Sequence, residues 1–368
     1  MDTADRRATA ALWSIQGIGP KTLREILRRV GPLAELLDRP LSSWAPLVPW
    51  RGDTLAYLMA AGSLRAAADR LEQRCSELDA RILFAGDPAF PARLVGLEDA
   101  PALLFTFGPG AEAPPRRRLA IVGTRRVDRA LMDRVENIAG EAAYHGLGII
   151  SGAAQGVDMA AHQGALLGGG ETWAFLGSAL DEIDFGQRTI THQILQAGGT
   201  VFSEFPPGFR ANKNSFKVRN RLISGSSDAV LVVRAPEESG ALHTAKYAVK
   251  QGRPLLATPG DPWNLAAVGS NQLLREGARP HIDLSDLMKA VGLDGSLSPP
   301  VPLPPPDLRG LSPLAGEVLN QLGQGPADFE VLLEAMPAPT SGELSAALVE
   351  LEVFGAVVHK GGRRYEKR

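Results

Sequence analysis

The chain has 368 residues, of which 44% are hydrophobic and 22% charged, enough to bury a sizeable core in two or three domains. A formal net charge of −2 gives no bulk support to a nucleic-acid partner, so any such partner must be met by a local patch. A single cysteine, Cys75, leaves no intramolecular disulfide and no cysteine-built zinc site.

Residues 1–80 read as a helical domain, with apolar positions at helical spacing in Leu23, Ile26, Leu27 and Val30. Its first residues hold no apolar core of a secretory signal, and no apolar run approaches a membrane span, so the expected location is cytoplasmic, with no membrane partner. Between two helical patterns lies Gly17-Ile18-Gly19-Pro20-Lys21-Thr22. This resembles the hairpin of a helix-hairpin-helix, whose glycines expose amides to a phosphate, and it also reads as a plain packing turn.

From residue 81 to 292 short apolar runs alternate with helix-length segments. The predicted strands are 119–122, 147–150, 173–176, 200–203, 229–233 and 254–258. Such alternation means βαβ units, so the fold class is α/β, a doubly wound parallel sheet with helices on both faces. Strand 119–122 runs into Gly123-Thr124-Arg125-Arg126 at an expected helix start, where amides and the helix dipole favour an anion. Arg116, Arg117, Arg118 and Arg129 crowd the same stretch. It is neither a dinucleotide fingerprint nor a P-loop. The next strand opens Ser151-Gly152-Ala153-Ala154-Gln155-Gly156, a second glycine turn. In a doubly wound sheet such turns meet above the strand ends, where ligands bind. Asp158 and His162 share a helix face, which can be read as a metal pair or an acid–base dyad; the plainer reading is a helix cap and a packed polar residue, since two ligands without a third make no metal site.

The segment from Pro206 to Arg221 carries Arg210, Lys213, Lys217, Arg219 and Arg221 with no acid, interleaved with Phe209 and Phe216. Cations that track a backbone, with aromatic faces for bases, suit a single-stranded nucleic acid. Asn220 stands between the last two arginines. After strand 229–233, Ser239-Gly240 starts a further helix at the same sheet edge. Residues 293–309 are a proline-rich linker, and 310–368 form a compact unit ending in a hairpin with a Gly-Gly turn.

The strings IVGTR, SGAAQGVDMAAH, SEFPPG, FKVRNRLISGSS, SGALHTA and TPG, in this order, closely resemble the DprA (DNA-processing A) or Smf family. The flanks are similar to its helical sterile-alpha-motif-like and winged-helix domains. The resemblance implies an extended Rossmann-like fold that binds single-stranded DNA, forms a homodimer and helps load the RecA recombinase during natural transformation and recombination. It implies no cofactor, metal or catalytic residue. Family contacts fall on Gly123, Thr124, Arg125, Lys213, Phe216 and Asn220. Ser151, Gly152, Gln155, Arg219, Arg221, Ser239 and Gly240 complete the expected interface. Where the family usually has Arg this chain has Gln155, and Asp184-Phe185-Gly186 replaces a usual Tyr-Pro. A dimer contact is expected within residues 240–280, through Leu242, Leu273 and Leu274. The competing reading is a Rossmann-like nucleotide hydrolase, but the Pro-Gly-Gly-x-Gly-Thr cluster of such enzymes is replaced here by Pro259-Gly260-Asp261.

Overall fold

A computed structural model describes residues 2–111, 117–293, 310–336, 340–353, 356–359 and 364–367. Arg116, most of the proline-rich stretch and the Gly361-Gly362 turn lie outside the described residues. The chain forms two compact units, Met1–Val301 and Pro302–Arg368.

Five helices open the first unit: α1 (Thr3–Trp13), α2 (Pro20–Val30), α3 (Leu41–Trp44), α4 (Thr54–Ala60) and α5 (Leu64–Glu77). Asp2 and Ser63 cap α1 and α5, each accepting a backbone N–H of the first turn through its side chain, at 2.8 and 3.1 Å. The strands that follow are β1 (Arg81–Phe84), β2 (Leu103–Phe107), β3 (Arg118–Val122), β4 (Gly148–Ser151), β5 (Thr172–Leu176), β6 (Thr200–Ser203), β7 (Ala229–Val232), β8 (Leu255–Ala257) and β9 (Arg279–Pro280). Their order in the sheet is β1-β2-β6-β5-β4-β3-β7-β8-β9. The seven strands from β3 to β9 run parallel, and β2 and β1 extend the β6 edge antiparallel. The expected strands therefore form. The expectation omitted β1, β2 and β9, which stand outside the βαβ alternation or are only two residues long.

The helices of this region are α6 (Ala92–Val95), α7 (Arg129–Tyr144), α8 (Val157–Leu167), α9 (Phe185–Gln196), α10 (Lys213–Ser226), α11 (Ala241–Lys250), α12 (Val268–Arg275) and α13 (Leu284–Ala290). Strand pleat decides which of them each residue meets. Leu119 and Ile121 point into a layer built by α7, α8 and α13, while Ala120 and Val122 point into the layer of α6, α10, α11 and α12. Because both faces are covered, the strands read as continuous apolar runs rather than alternating ones. The N-terminal helices do not hold a core to themselves. Leu12, Trp44 and Leu71 belong to one buried cluster with Leu103, Phe105, Ile194 and Val201, and Trp13 Nε1 donates to the Glu204 carbonyl at 2.9 Å.

The chain runs out along β3, β4, β5 and β6, then crosses back to place β7 on the other side of β3. The switch point thus lies between β3 and β7, where the loops diverge and leave a crevice at the carboxyl ends of the strands.

The second unit holds α14 (Pro313–Leu322), α15 (Phe329–Ala335), α16 (Ser341–Val353) and an antiparallel sheet in the order β10-β12-β11, from β10 (Ala327–Asp328), β11 (Val357–His359) and β12 (Arg364–Lys367). Val318, Leu322, Leu332, Leu348 and Leu351 make its core. Three helices with a small antiparallel sheet are the expected winged-helix architecture.

Candidate nucleic-acid interface

The crevice over β3 and β7 is a cleft of about 620 Å³. Four segments wall it: the turn after β3, the turn after β4, the first half of α10, and the β7–α11 loop.

The first wall is fixed by backbone bonds. Thr124 N–H donates to the Arg234 carbonyl at 2.7 Å, and the Thr124 carbonyl accepts from Val157 N–H at 3.2 Å. Its hydroxyl accepts from Arg126 N–H at 3.1 Å. Gly156, at φ +87°, makes that junction possible, since a Cβ there would lie 2.5 Å from the Thr124 carbonyl oxygen. Arg125 and Arg126 extend from this turn into solvent. The expected helix start at Arg125 is corrected: α7 begins at Arg129, with Asp128 as its cap accepting Leu131 N–H at 2.7 Å. Arg125 acts as an exposed cation on a loop, without the dipole of α7 behind it.

The arginine cluster expected around this turn is also divided. Arg117 precedes β3 and Arg118 opens it, so the five-residue strand sets them about 17 Å away, at the opposite end of the strands. There Arg117 pairs with Asp228 at 2.8 Å, and Arg118 pairs with Glu171 at 3.1 Å while its guanidinium lies over the Trp173 ring. Arg129 pairs with Asp133 at 2.9 Å along α7.

The acid-free stretch is not one loop. Asn212 caps α10, accepting Asn214 and Ser215 N–H at 2.9 and 3.0 Å while Ser215 Oγ accepts Asn212 N–H, so residues from Lys213 onward are helical. Helical spacing then sorts its cations. Lys213 and Lys217, four apart, are exposed and line the cleft. Arg219 and Arg221 turn inward and are buried. Arg219 donates to the carbonyls of Gly152, at 2.9 Å, and Phe175. Burial lowers its pKa to about 10, opposed by the Asp158 charge. Arg221 pairs with the buried Glu204 at 2.6 Å. Both were expected on the interface; Arg219 does line the cleft beneath Phe216, and the guanidinium groups of both are also tied into the scaffold. Asn220 donates to the Gly240 carbonyl at 3.2 Å and joins α10 to the β7–α11 loop at the edge of the cleft.

Phe216 is half-buried between two cations, with the Arg125 guanidinium carbon 5.3 Å and that of Arg219 5.8 Å from its ring centroid. Ser239 and Gly240 line the cleft at the start of α11, where Ser239 Oγ accepts Ala241 N–H at 3.3 Å.

Three expected contacts fall elsewhere. Ser151 is buried and donates to the Ile121 carbonyl at 2.6 Å. Gly152 lies beneath Arg219, whose guanidinium carbon would be 2.7 Å from an added Cβ. Gln155 is exposed but stands outside the cleft, near Gly186 at the start of α9. The cleft gains Asn212 and His243, which were not among the expected contacts, and Lys217, which was expected only as one cation of the acid-free stretch. The four-residue step from Lys213 is the signal for Lys217.

Asp158 and His162 are both buried. Asp158 accepts Gly152 N–H at 3.1 Å, and burial raises its pKa against the opposing Arg219 charge. It braces the turn, while Gly156 holds the cap position of α8. His162 Nδ1 lies 2.7 Å from Thr172 Oγ1, and burial with the Arg219 charge lowers its pKa to about 3. Among the described residues no group of three His, Cys, Asp or Glu side chains is placed to hold a metal ion, and no helix is long and apolar enough to cross a membrane.

A doubly wound sheet with glycine turns, free cations and a half-exposed ring at its switch point defines a Rossmann-like protein with a cleft suited to a polyanion. Comparison with known proteins gives the family. The family model described as DNA recombination-mediator protein A matches residues 81–292, and that of the DprA winged helix domain matches 302–363. The chain belongs to the DNA recombination-mediator protein A family. It is 30% identical over 323 residues to the protein Smf of Synechocystis, covering 78% of this chain and 80% of that one. It is 33% identical over 289 residues to a putative DNA processing protein DprA of Mycobacterium tuberculosis, covering 77% and 73%. The solved DNA processing protein A of Streptococcus pneumoniae superposes with a TM-score of 0.61 at 25% identity, over 78% of this chain and 98% of that chain. DNA processing protein A of Helicobacter pylori, whose structure is described for its single-stranded DNA binding mode, superposes with a TM-score of 0.51 at 30% identity, over 57% and 94%.

Proposed function

We propose that the chain binds single-stranded DNA in the switch-point cleft and acts in DNA processing, helping to load the RecA recombinase onto that DNA during natural transformation and recombination. The observation that carries the binding reading is the arrangement around Phe216: a half-exposed ring flanked by the cations of Arg125, Lys213 and Lys217, none of which is buried. Ring faces accept bases of any sequence and the cations track the phosphates, while a duplex keeps its bases stacked and out of reach. The single-stranded DNA binding described for the Helicobacter pylori relative supports the same reading. RecA loading rests on the family resemblance.

A non-catalytic role is supported by the state of the two groups that suggested chemistry. Asp158 is committed to the Gly152 amide and His162 to Thr172, both away from solvent. For the homodimer, the original apolar candidates are spent internally: Leu273 is buried, and Leu242 and Leu274 pack against the same core. Trp263 and Leu265, 89% and 81% exposed, supply apolar surface in the same 240–280 span. Gel-shift comparison of single-stranded and duplex oligonucleotides with the intact chain tests the function. Preferential retardation of the single strand is expected, and equal or stronger duplex binding would refute it.

A further inference from the structure

The Gly17-Ile18-Gly19 turn, which the cleft leaves unused, forms one wall of a second groove of about 720 Å³. The segment after β6 forms the facing wall. Phe205 and Phe209 stack there with centroids 4.4 Å apart and planes 12° from parallel. Val218, half-exposed on α10, adds apolar surface, and Arg210 stands in the same wall with its side chain 86% exposed. The ion pair of Arg210 with Glu182 is long, 3.4 Å, and open to water, so it competes weakly with a phosphate.

Two observations point to a ligand. Arg221 lines the groove with its side chain only 5% exposed; one terminal nitrogen is bound to Glu204, whereas Nη1 is buried with no hydrogen-bond partner. A buried N–H without an acceptor is costly, and a ligand oxygen would relieve it. Asn212, the cap of α10, lines both this groove and the cleft, so the two adjoin at the start of that helix.

We propose that the groove takes the nucleotides flanking those in the cleft, so that one DNA strand passes from Phe216 around Asn212 to the Gly17–Gly19 turn. The inference rests on the reading of the cleft as a single-strand site. Apolar and aromatic walls accept bases, and Arg210 meets the backbone. The N-terminal helices, held against the Glu204 carbonyl by Trp13, then contribute to the nucleic-acid track through the Gly17–Gly19 turn.

Fluorescence anisotropy with the full chain and oligothymidylates of about 4 and about 16 nucleotides, the range of single-strand site sizes, tests this. Arg210→Ala and Val218→Glu alter exposed positions of the groove alone, and Lys213→Ala alters the cleft. Both groove variants should bind the long oligomer about tenfold more weakly and the short one normally, whereas Lys213→Ala should weaken both. Groove variants that bind both lengths like the wild type, or lose affinity equally for both, would overturn the groove while leaving the cleft standing. If Lys213→Ala binds both lengths normally, the underlying reading of the cleft fails, and the inference falls with it.

Discussion

At the scale of single residues, the structure separates arginines that look alike in sequence. Arg125 and Arg219 both line the cleft, but Arg125 is exposed there, whereas Arg219 is buried at its floor and bonded into the scaffold. Arg219→Met should strand the Gly152 and Phe175 carbonyls, each at a cost of about 1–3 kcal/mol, and lower the melting temperature. A normally folded, normally melting Arg219→Met that no longer binds would make Arg219 a DNA contact after all. His162 gives a pH prediction. Its folded pKa, about 3, lies below the unfolded value near 6.5, so the unfolded chain takes up the proton first. The stability that neutral His162 contributes is complete above pH about 6.5 and is lost as pH falls toward 3, by about 1.4 kcal/mol per unit. His162→Gln retains a polar partner for Thr172 and removes this titration. Thermal melts from neutral pH to about 4 should show a shallower decline in the variant; parallel curves would contradict the assignment.

At the scale of elements, the parallel strands other than the two-residue, exposed β9 were legible because strands buried on both faces read as unbroken apolar runs ended by glycine turns. β1 and β2 were not, since they add antiparallel to the sheet edge and break the βαβ rhythm that identified the others. Grouping Arg117 and Arg118 with Arg125 failed because neighbours in sequence separate across a strand. The acid-free stretch revealed the interface but not its shape. Only the Asn212–Ser215 cap shows that α10 starts at Lys213, and with that start helical geometry sends Lys213 and Lys217 outward and Arg219 and Arg221 inward. The glycine turns also carry a test. Gly156→Ala would force an alanine to φ +87° and place its Cβ against the Thr124 carbonyl. A loss of about 1–3 kcal/mol in denaturant unfolding is expected, and unchanged stability would show that the junction of the two turns can relax.

At the scale of the whole molecule, the helical N-terminal region and the α/β sheet share a core, so residues 81–292 in isolation would expose Phe105, Val201 and their neighbours. A fragment of residues 1–301 should therefore melt cooperatively and at a higher temperature than 81–292; equal melting temperatures would show that the shared core adds nothing. The central claim, that a single DNA strand binds the switch-point cleft through phosphate neutralisation and base stacking, is tested most directly by the salt dependence of oligothymidylate binding to the intact chain and three variants. Arg125→Ala and Lys213→Ala should each weaken binding and reduce the slope of log affinity against log salt by about 0.7, the value of one single-strand phosphate contact. Phe216→Ala should lose about 1–3 kcal/mol with the slope unchanged, as one stacked base requires. Three folded variants that match the wild type in affinity and slope would contradict the account.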